Sequence, residues 1–224
     1  MNRTPADGYA SPPCFAHELE TMQDGIAAVD PVQKRDVARW RKAERARLID
    51  LRLGVSAAER ARVAVAVGAE LDRIVDHGPD TVISLYWPFR GELDLRGWME
   101  RACTQGSRAA LPVVVAEGQP LAFREWRPDC RWERGVWNIP NPVGTDEVVP
   151  DILIAPVVGY DRRLFRLGHG GGFFDRTLAA LPSRPIFIGV GHPVAAIATI
   201  YPQPHDIPMD MVLTGAGDMP KEER

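Results

Sequence analysis

The sequence predicts an α/β fold: one domain, with helices on both faces of an open, mostly parallel sheet. Three observations carry this reading. Short β-rich runs alternate with helical segments between about residue 80 and residue 214, as strand–crossover–strand units do. The run "DILIAPVVGYD", 151–161, is the most apolar of them, as a central strand buried on both faces should be. Four glycines, Gly168, Gly170, Gly171 and Gly172, then stand between that run and a helix, where open α/β sheets collect their ligands.

Taken in order, residues 1–35 are rich in Pro, Gly, Asp and Ala and read as an irregular extension, although Cys14, Phe15 and Leu19 are more apolar than a solvated tail needs. From Asp36, "DVARWRKAERARLIDLRLGV" spaces Val37, Trp40, Leu48 and Leu51 as one face of a helix. Ser56 followed by Glu59 is a capping box opening a second helix that runs to Val75. "DTVISLYWPF" reads as a buried strand, "LDLRGWMERACTQG" as a helix, and "RAALPVVVA" and "PLAFREW" as strands. After the glycines, "FFDRTLAAL" reads as a helix, "PIFIGVG" as a strand, "AAIATI" as a short helical turn and "DMVLT" as the last strand. The layering is Rossmann-like, with the domain at 36–216 and a polar tail at 217–224.

A chain of 224 residues can bury a full core, and a net charge of −3 gives no basic footprint for nucleic acid. Cys14, Cys103 and Cys130 are too far apart for a CxxC pair, so neither a disulfide framework nor a zinc site is expected. No run has the roughly 18 consecutive apolar residues of a membrane span, and the first residues lack the apolar stretch of a signal peptide. A cytoplasmic protein, with no nucleic-acid or membrane partner and no more than weak self-association, is the expectation.

Glycines leading into a helix let backbone N–H groups converge on an anion, with the helix N-terminus adding partial positive charge. No GK[ST] follows, and the spacing is not GxGxxG, so the loop is neither a Walker loop nor a dinucleotide fingerprint. Arg163 and Arg166 flank it, and arginine forks suit phosphate oxygens. Asp175, three residues past the last glycine, could hold Mg²⁺ beside a phosphate or serve only the helix dipole. The plainer alternative for the glycines is a sharp turn.

"RLGHGGGFFDR" resembles the RLGxGxGYYDR signature of the 5-formyltetrahydrofolate cyclo-ligase family, the methenyltetrahydrofolate synthetases. "RKAERARLIDLRLGVS", "YWPFRGELD", "ALPVVV" and "PHDIPMDMVLT" are similar to four further family elements, in the family's order from about Arg41 to Thr214. The resemblance implies an enzyme that uses ATP and Mg²⁺ to close 5-formyltetrahydrofolate to 5,10-methenyltetrahydrofolate. The formyl oxygen would be phosphorylated and N10 would then displace phosphate. It further implies a nucleotide site of Arg41, Arg45 and the stretch Arg166, Leu167, Gly168, His169, Gly170, Gly171, Gly172, Phe173 and Phe174. Folate would lie against Trp87, Glu92, His169, Gly170, Gly171, Gly172 and Phe173, metal at Asp175 and Asp210, with Arg166 and His169 in catalysis.

Four departures bear on substrate identity. Phe174 stands where relatives usually carry Tyr, and Phe173 where they often do, so a hydroxyl is missing that His169 could replace. Asn141 in "NIPNP" replaces a Glu, and Leu95 a Thr. The rival readings are a relative acting on another pterin or formyl compound, and a non-catalytic folate- or nucleotide-binding protein.

Overall fold

The computed structural model describes residues 31–216. The extension expected over residues 1–35 lies outside it up to residue 30, and so does the polar tail at 217–224. Helix α1, Pro31–Gly54, starts five residues before the expected Asp36. Proline at the first helical position already has a helical φ and loses no bonded N–H, so it opens the helix. In α2, Ala57–Ile74, the Ser56 hydroxyl accepts the Glu59 N–H at 3.1 Å. Only half of the capping box forms, because the Glu59 carboxylate takes Arg62 Nε and Nη2 at 2.9 and 2.7 Å.

The strands of the main sheet are β1 (Val82–Ser84), β2 (Arg108–Val114), β3 (Leu121–Trp126), β6 (Ile152–Pro156), β9 (Ile186–Val190) and β10 (Met211–Leu213). Their order is β10-β9-β6-β1-β2-β3, every pair parallel except β2–β3. Helix α3, Arg96–Thr104, crosses from β1 to β2. Two small antiparallel hairpins, β4 (Arg131–Arg134) with β5 (Pro140–Val143) and β7 (Gly159–Tyr160) with β8 (Arg166–Leu167), lie outside the sheet. Helix α4, Phe173–Ala180, follows β8.

The apolar run at 151–161 does form an inner strand. In β6, Ile152 and Ile154 pack with Val67 and Leu71 of α2 and Trp98 and Met99 of α3. Leu153 and Ala155 point the other way, to Leu178 of α4. Two apolar faces on one strand are what helices on both sides demand. The expected strand over "DTVISLYWPF" shrinks to Val82–Ser84 because the chain leaves the sheet there: Leu85 N–H still bonds Ala110 O at 3.0 Å, and Tyr86 and Trp87 turn into the site. The helical turn expected at "AAIATI" is a 3-10 turn at Pro193–Ala195 instead, set by its proline and ended before Ala196. Among the described residues no helix is long and apolar enough to cross a membrane.

Candidate active site

Sheet order reverses between β1 and β6: the chain moves outward through β2 and β3, returns to β6, then continues through β9 to β10 on the other side. Beyond the C-terminal ends of these two strands the connections part and leave a crevice. A cleft of about 560 Å³ opens there. Pro156 ends β6 at its floor, Tyr86 and Trp87 arrive from β1, Arg41 and Arg45 come from α1, and Trp137 and Ile139 come from the β4–β5 hairpin. All the glycine-loop residues from Arg166 to Asp175 line it, as does Glu92.

The loop is anchored by Asp161, 1% exposed, whose carboxylate accepts the N–H groups of Arg163 (3.0 Å), Phe165 (3.1 Å) and Ile200 (3.0 Å). Arg163 is spent in this turn, its guanidinium 5.1 Å from the Phe165 ring and outside the cleft lining; it is not the second arm of a phosphate fork. Gly170 and Gly172 have φ of +99° and +63°, conformations that side chains resist. Gly172 caps α4 without any side-chain bond, so the helix opens with unsatisfied N–H groups facing the loop. Arg45 crosses over Gly170 and donates Nε to Gly168 O at 2.8 Å. Burial, with Arg41 nearby, pulls the Arg45 guanidinium below its ordinary value against the pull of Asp206. Its terminal amines have no protein partner among the described residues and remain for an anion.

Arg41 stands differently. Its guanidinium gives Nε to Ile200 O (2.9 Å) and Nη2 to Tyr201 O (2.8 Å), and both terminal amines bond the Asp206 carboxylate. It fixes the 200–206 segment as a wall of the cleft. Asp206 and His205 also line that wall; no spacing in the sequence joins Asp206 to a residue 165 positions away.

Arg166, its side chain 6% exposed, lies 4.8 Å from the Phe174 ring and reaches Asp175 Oδ2 at 3.3 Å. Burial pushes its guanidinium down, against Asp175, Asp206 and Glu92. Its Nε is buried without a partner among the described residues, an orphan that an anionic ligand would satisfy. Phe174 is the lower layer of this stack and itself stacks on Phe187, ring centroids 6.4 Å apart.

At the other end, Glu92 is held with Oε2 accepting Phe89 N–H and Oε1 against His169 Nε2, both at 2.9 Å. The two residues are 77 positions apart in sequence and meet where the β1 loop faces the glycine loop. Arg52 Nη1 is 3.8 Å from the same Oε1; like Asp206, Arg52 escaped the sequence reading, where it looked like one more arginine on a basic helix. Trp87 borders this end, with Trp132 5.0 Å away and Arg96 Cζ 4.7 Å over its ring.

The two aspartates expected at a metal separate. Asp175 lines the cleft from the first turn of α4. Asp210 does not line it: its carboxylate accepts Arg184 Nη2 and Phe187 N–H, both at 2.8 Å, and braces β9 to β10. No group of three or more His, Cys, Asp or Glu among the described residues is placed to hold a metal ion. Mg²⁺ at a nucleotide requires less, about one or two carboxylates completed by phosphate oxygens and water; Asp175 lies in the cleft to offer one through its remaining lone pairs, since Oδ1 already accepts Ile207 N–H at 3.1 Å and Oδ2 accepts Arg166 Nη2 at 3.3 Å. Asn141 and Leu95 are likewise absent from the lining. Asn141 packs against Gly135 inside the β4–β5 hairpin, and Leu95, 2% exposed, trades a side-chain cap on α3 for core burial.

The sequence profile of the 5-formyltetrahydrofolate cyclo-ligase family matches residues 37–215. A 5-formyltetrahydrofolate cyclo-ligase of Haemophilus influenzae is 25% identical over 184 residues, covering 78% of this chain and 97% of the relative. The Escherichia coli protein of that name is 31% identical over 142 residues, 59% of this chain and 76% of its own. The solution structure of Aquifex aeolicus 5,10-methenyltetrahydrofolate synthetase superposes with a TM-score of 0.71 at 24% identity, covering 82% of this chain and 94% of that one. The Mycoplasma pneumoniae synthetase gives 0.65 at 20% identity, covering 78% and 98%; these two speak for the fold. With the profile spanning most of its length and its glycine loop closing one end of the switch-point cleft, the chain belongs to the 5-formyltetrahydrofolate cyclo-ligase family.

Proposed function

We propose that this chain converts 5-formyltetrahydrofolate to 5,10-methenyltetrahydrofolate with ATP, releasing ADP and phosphate, and that the unit responsible spans 36–216. The observation that carries the reading is the polarity of the cleft. The Arg45 guanidinium, tied by Nε to Gly168 O with its terminal amines left over, sits over a glycine loop at one end, and a buried carboxylate, Glu92, stands at the other. That pairing suits an anion beside a ring that offers N–H donors.

In this reading the triphosphate lies on the N–H groups from Gly168 to Gly172, with Arg45 and the orphaned Nε of Arg166 on its oxygens. Arg41 acts indirectly, by holding the 200–206 wall. Glu92 accepts hydrogen bonds from the pterin ring, and Trp87 borders the ring. The formyl oxygen attacks the γ-phosphorus and ADP leaves. The N10 lone pair then attacks the formyl carbon, the C–O bond breaks with phosphate departing, and N10 loses its proton. Phosphorylation is needed because an amide-like oxygen is a poor leaving group. Arg166 offsets the charge that develops on the transferred group. Mg²⁺, held by Asp175, would supply further charge neutralisation between the phosphates.

His169 meets Glu92 across the cleft and is the polar side chain we assign in place of the missing tyrosine hydroxyl. Phe174 favours one second reading, a relative that keeps the nucleotide loop and acts on another formyl compound. Labelling the formyl group with oxygen-18 tests the mechanism: the label should leave in phosphate. Label recovered in water would contradict a phosphorylated formyl intermediate.

A further inference from the structure

Glu92 is delivered by a turn that the sequence makes costly. Glu92 N–H bonds Phe89 O at 3.2 Å, and the two residues between them, Arg90 and Gly91, have φ of +49° and +78°. Positive φ at both central positions is the type I′ pattern. Gly91 takes it freely and Arg90 does not. Gly91 also lies on the last turn of α1: a Cβ there would sit 3.3 Å from Leu53 Cδ2 and 3.6 Å from Arg52 Cγ.

Arg52 comes from that last helical turn and its side chain is only 7% exposed. Its Nε donates to Arg90 O at 3.0 Å, the carbonyl of the strained residue itself. Nη1 reaches Val157 O at 3.4 Å, just past the end of β6, and stands 3.8 Å from Glu92 Oε1. One guanidinium thus ties α1, the strained turn and the end of the central strand together. Arg52 does not line the cleft, so it acts on ligand only through Glu92.

We infer that Arg52 is the positioning residue of the folate end of the cleft: it clamps the strained Phe89–Glu92 turn so that the Glu92 carboxylate stays aimed inward. As a claim about folate it rests on the proposed function; as a claim about the turn it does not. Without Arg52, the Arg90 carbonyl loses its anchor and the turn can relax toward negative φ, swinging Glu92 away. The Arg45 end shares no bond with Arg52 and should be untouched.

Amide hydrogen exchange in the whole chain tests this without ligand. In Arg52→Met, the Phe89 and Glu92 amides should exchange at least about tenfold faster, while amides of β9 and β10 change less than about twofold. Adding Arg90→Gly to Arg52→Met should bring the turn amides back to within about threefold of wild type, because glycine takes positive φ without the steric cost that Arg90 bears. In parallel, Arg52→Met should weaken 5-formyltetrahydrofolate binding at least about tenfold, and a non-hydrolysable ATP analogue less than about threefold. If Arg52→Met does not fold, Arg52→Lys replaces it, with turn exchange about threefold faster because one donor survives. Unchanged turn amides, equal acceleration everywhere, or a double variant no better than the single one would each overturn the clamp. Turn amides that respond to Arg52→Met as expected, with no formyltetrahydrofolate bound by the wild-type chain, would leave the clamp standing and remove the proposed function.

Discussion

Replacing Gly170 by valine attacks the nucleotide end at its tightest point. At φ +99° an added Cβ would lie 3.3 Å from Arg45 Cζ and 3.4 Å from Nη1. A side chain in left-handed territory costs about 1–2 kcal/mol, and a β-branched one more. Relief by rotating φ would turn loop N–H groups away from the phosphate and dislodge Arg45 from Gly168 O, a charge-assisted bond worth about 1.5–3 kcal/mol. The nucleotide would then lose one loop N–H and the Arg45 terminal amines, charge-assisted bonds to phosphate of about 1.5–3 kcal/mol each, so its Kd should rise by about two to four powers of ten. Only the strain falls on folding, so Tm should drop by about 2–8 °C and the domain remain folded. Gly118→Val is the control: φ is +75° there, nothing lies within 4 Å of the added Cβ, and the residue is outside the cleft lining. Calorimetric titration with a non-hydrolysable ATP analogue, beside thermal melts of both variants, checks the reasoning. Nucleotide affinity in Gly170→Val within about threefold of that in Gly118→Val would refute it.

Glu92→Gln should weaken 5-formyltetrahydrofolate binding by about 10- to 100-fold and the ATP analogue by less than about threefold, since it alters an acceptor at one end only; equal losses by titration would make Glu92 a scaffold residue. His169→Ala should lower turnover at least about tenfold with nucleotide affinity retained, and Phe174→Tyr should preserve turnover; wild-type turnover in His169→Ala would remove His169 from the mechanism. His192 is pulled below its ordinary pKa chiefly by burial, and its Nδ1 accepts Val194 N–H. The unfolded state therefore binds this proton first as pH falls through about 6.5, and stability is lost from there downward. Thermal melts at about pH 7 and about pH 5 should show a smaller acid loss in His192→Asn than in wild type, and an equal or larger loss would contradict the burial argument.

Much of the fold was legible because burial writes itself into apolar runs. Ile152 to Ala155 face two cores at once, and no other role suits so continuous an apolar strand. The glycine loop was legible for a second reason, that positive φ at Gly170 and Gly172 selects the residue type directly. Hairpin β4–β5 was not, since Pro140 and Pro142 and an exposed β4 erase any alternation, yet it brings Trp137 to the cleft. The partners of the charged groups were the least readable. Arg41, Arg45 and Arg52 sit on one helix and look alike, but one holds Asp206, one crosses Gly170 and one grips Arg90 O. Each role is set by a contact across the fold that no local spacing records. Asp210 misled for the same reason: its carboxylate, bound by Arg184 and a backbone N–H from β9, stands outside the cleft.

The most direct measurement mixes the purified chain with MgATP and 5-formyltetrahydrofolate and follows the near-ultraviolet absorbance of the methenyl product, with ADP and phosphate assayed beside it. Product should accumulate over many turnovers, one ADP for each ring closed, and cease when either substrate is left out. Formyltetrahydrofolate recovered unchanged from a chain that still binds nucleotide would contradict the proposed activity.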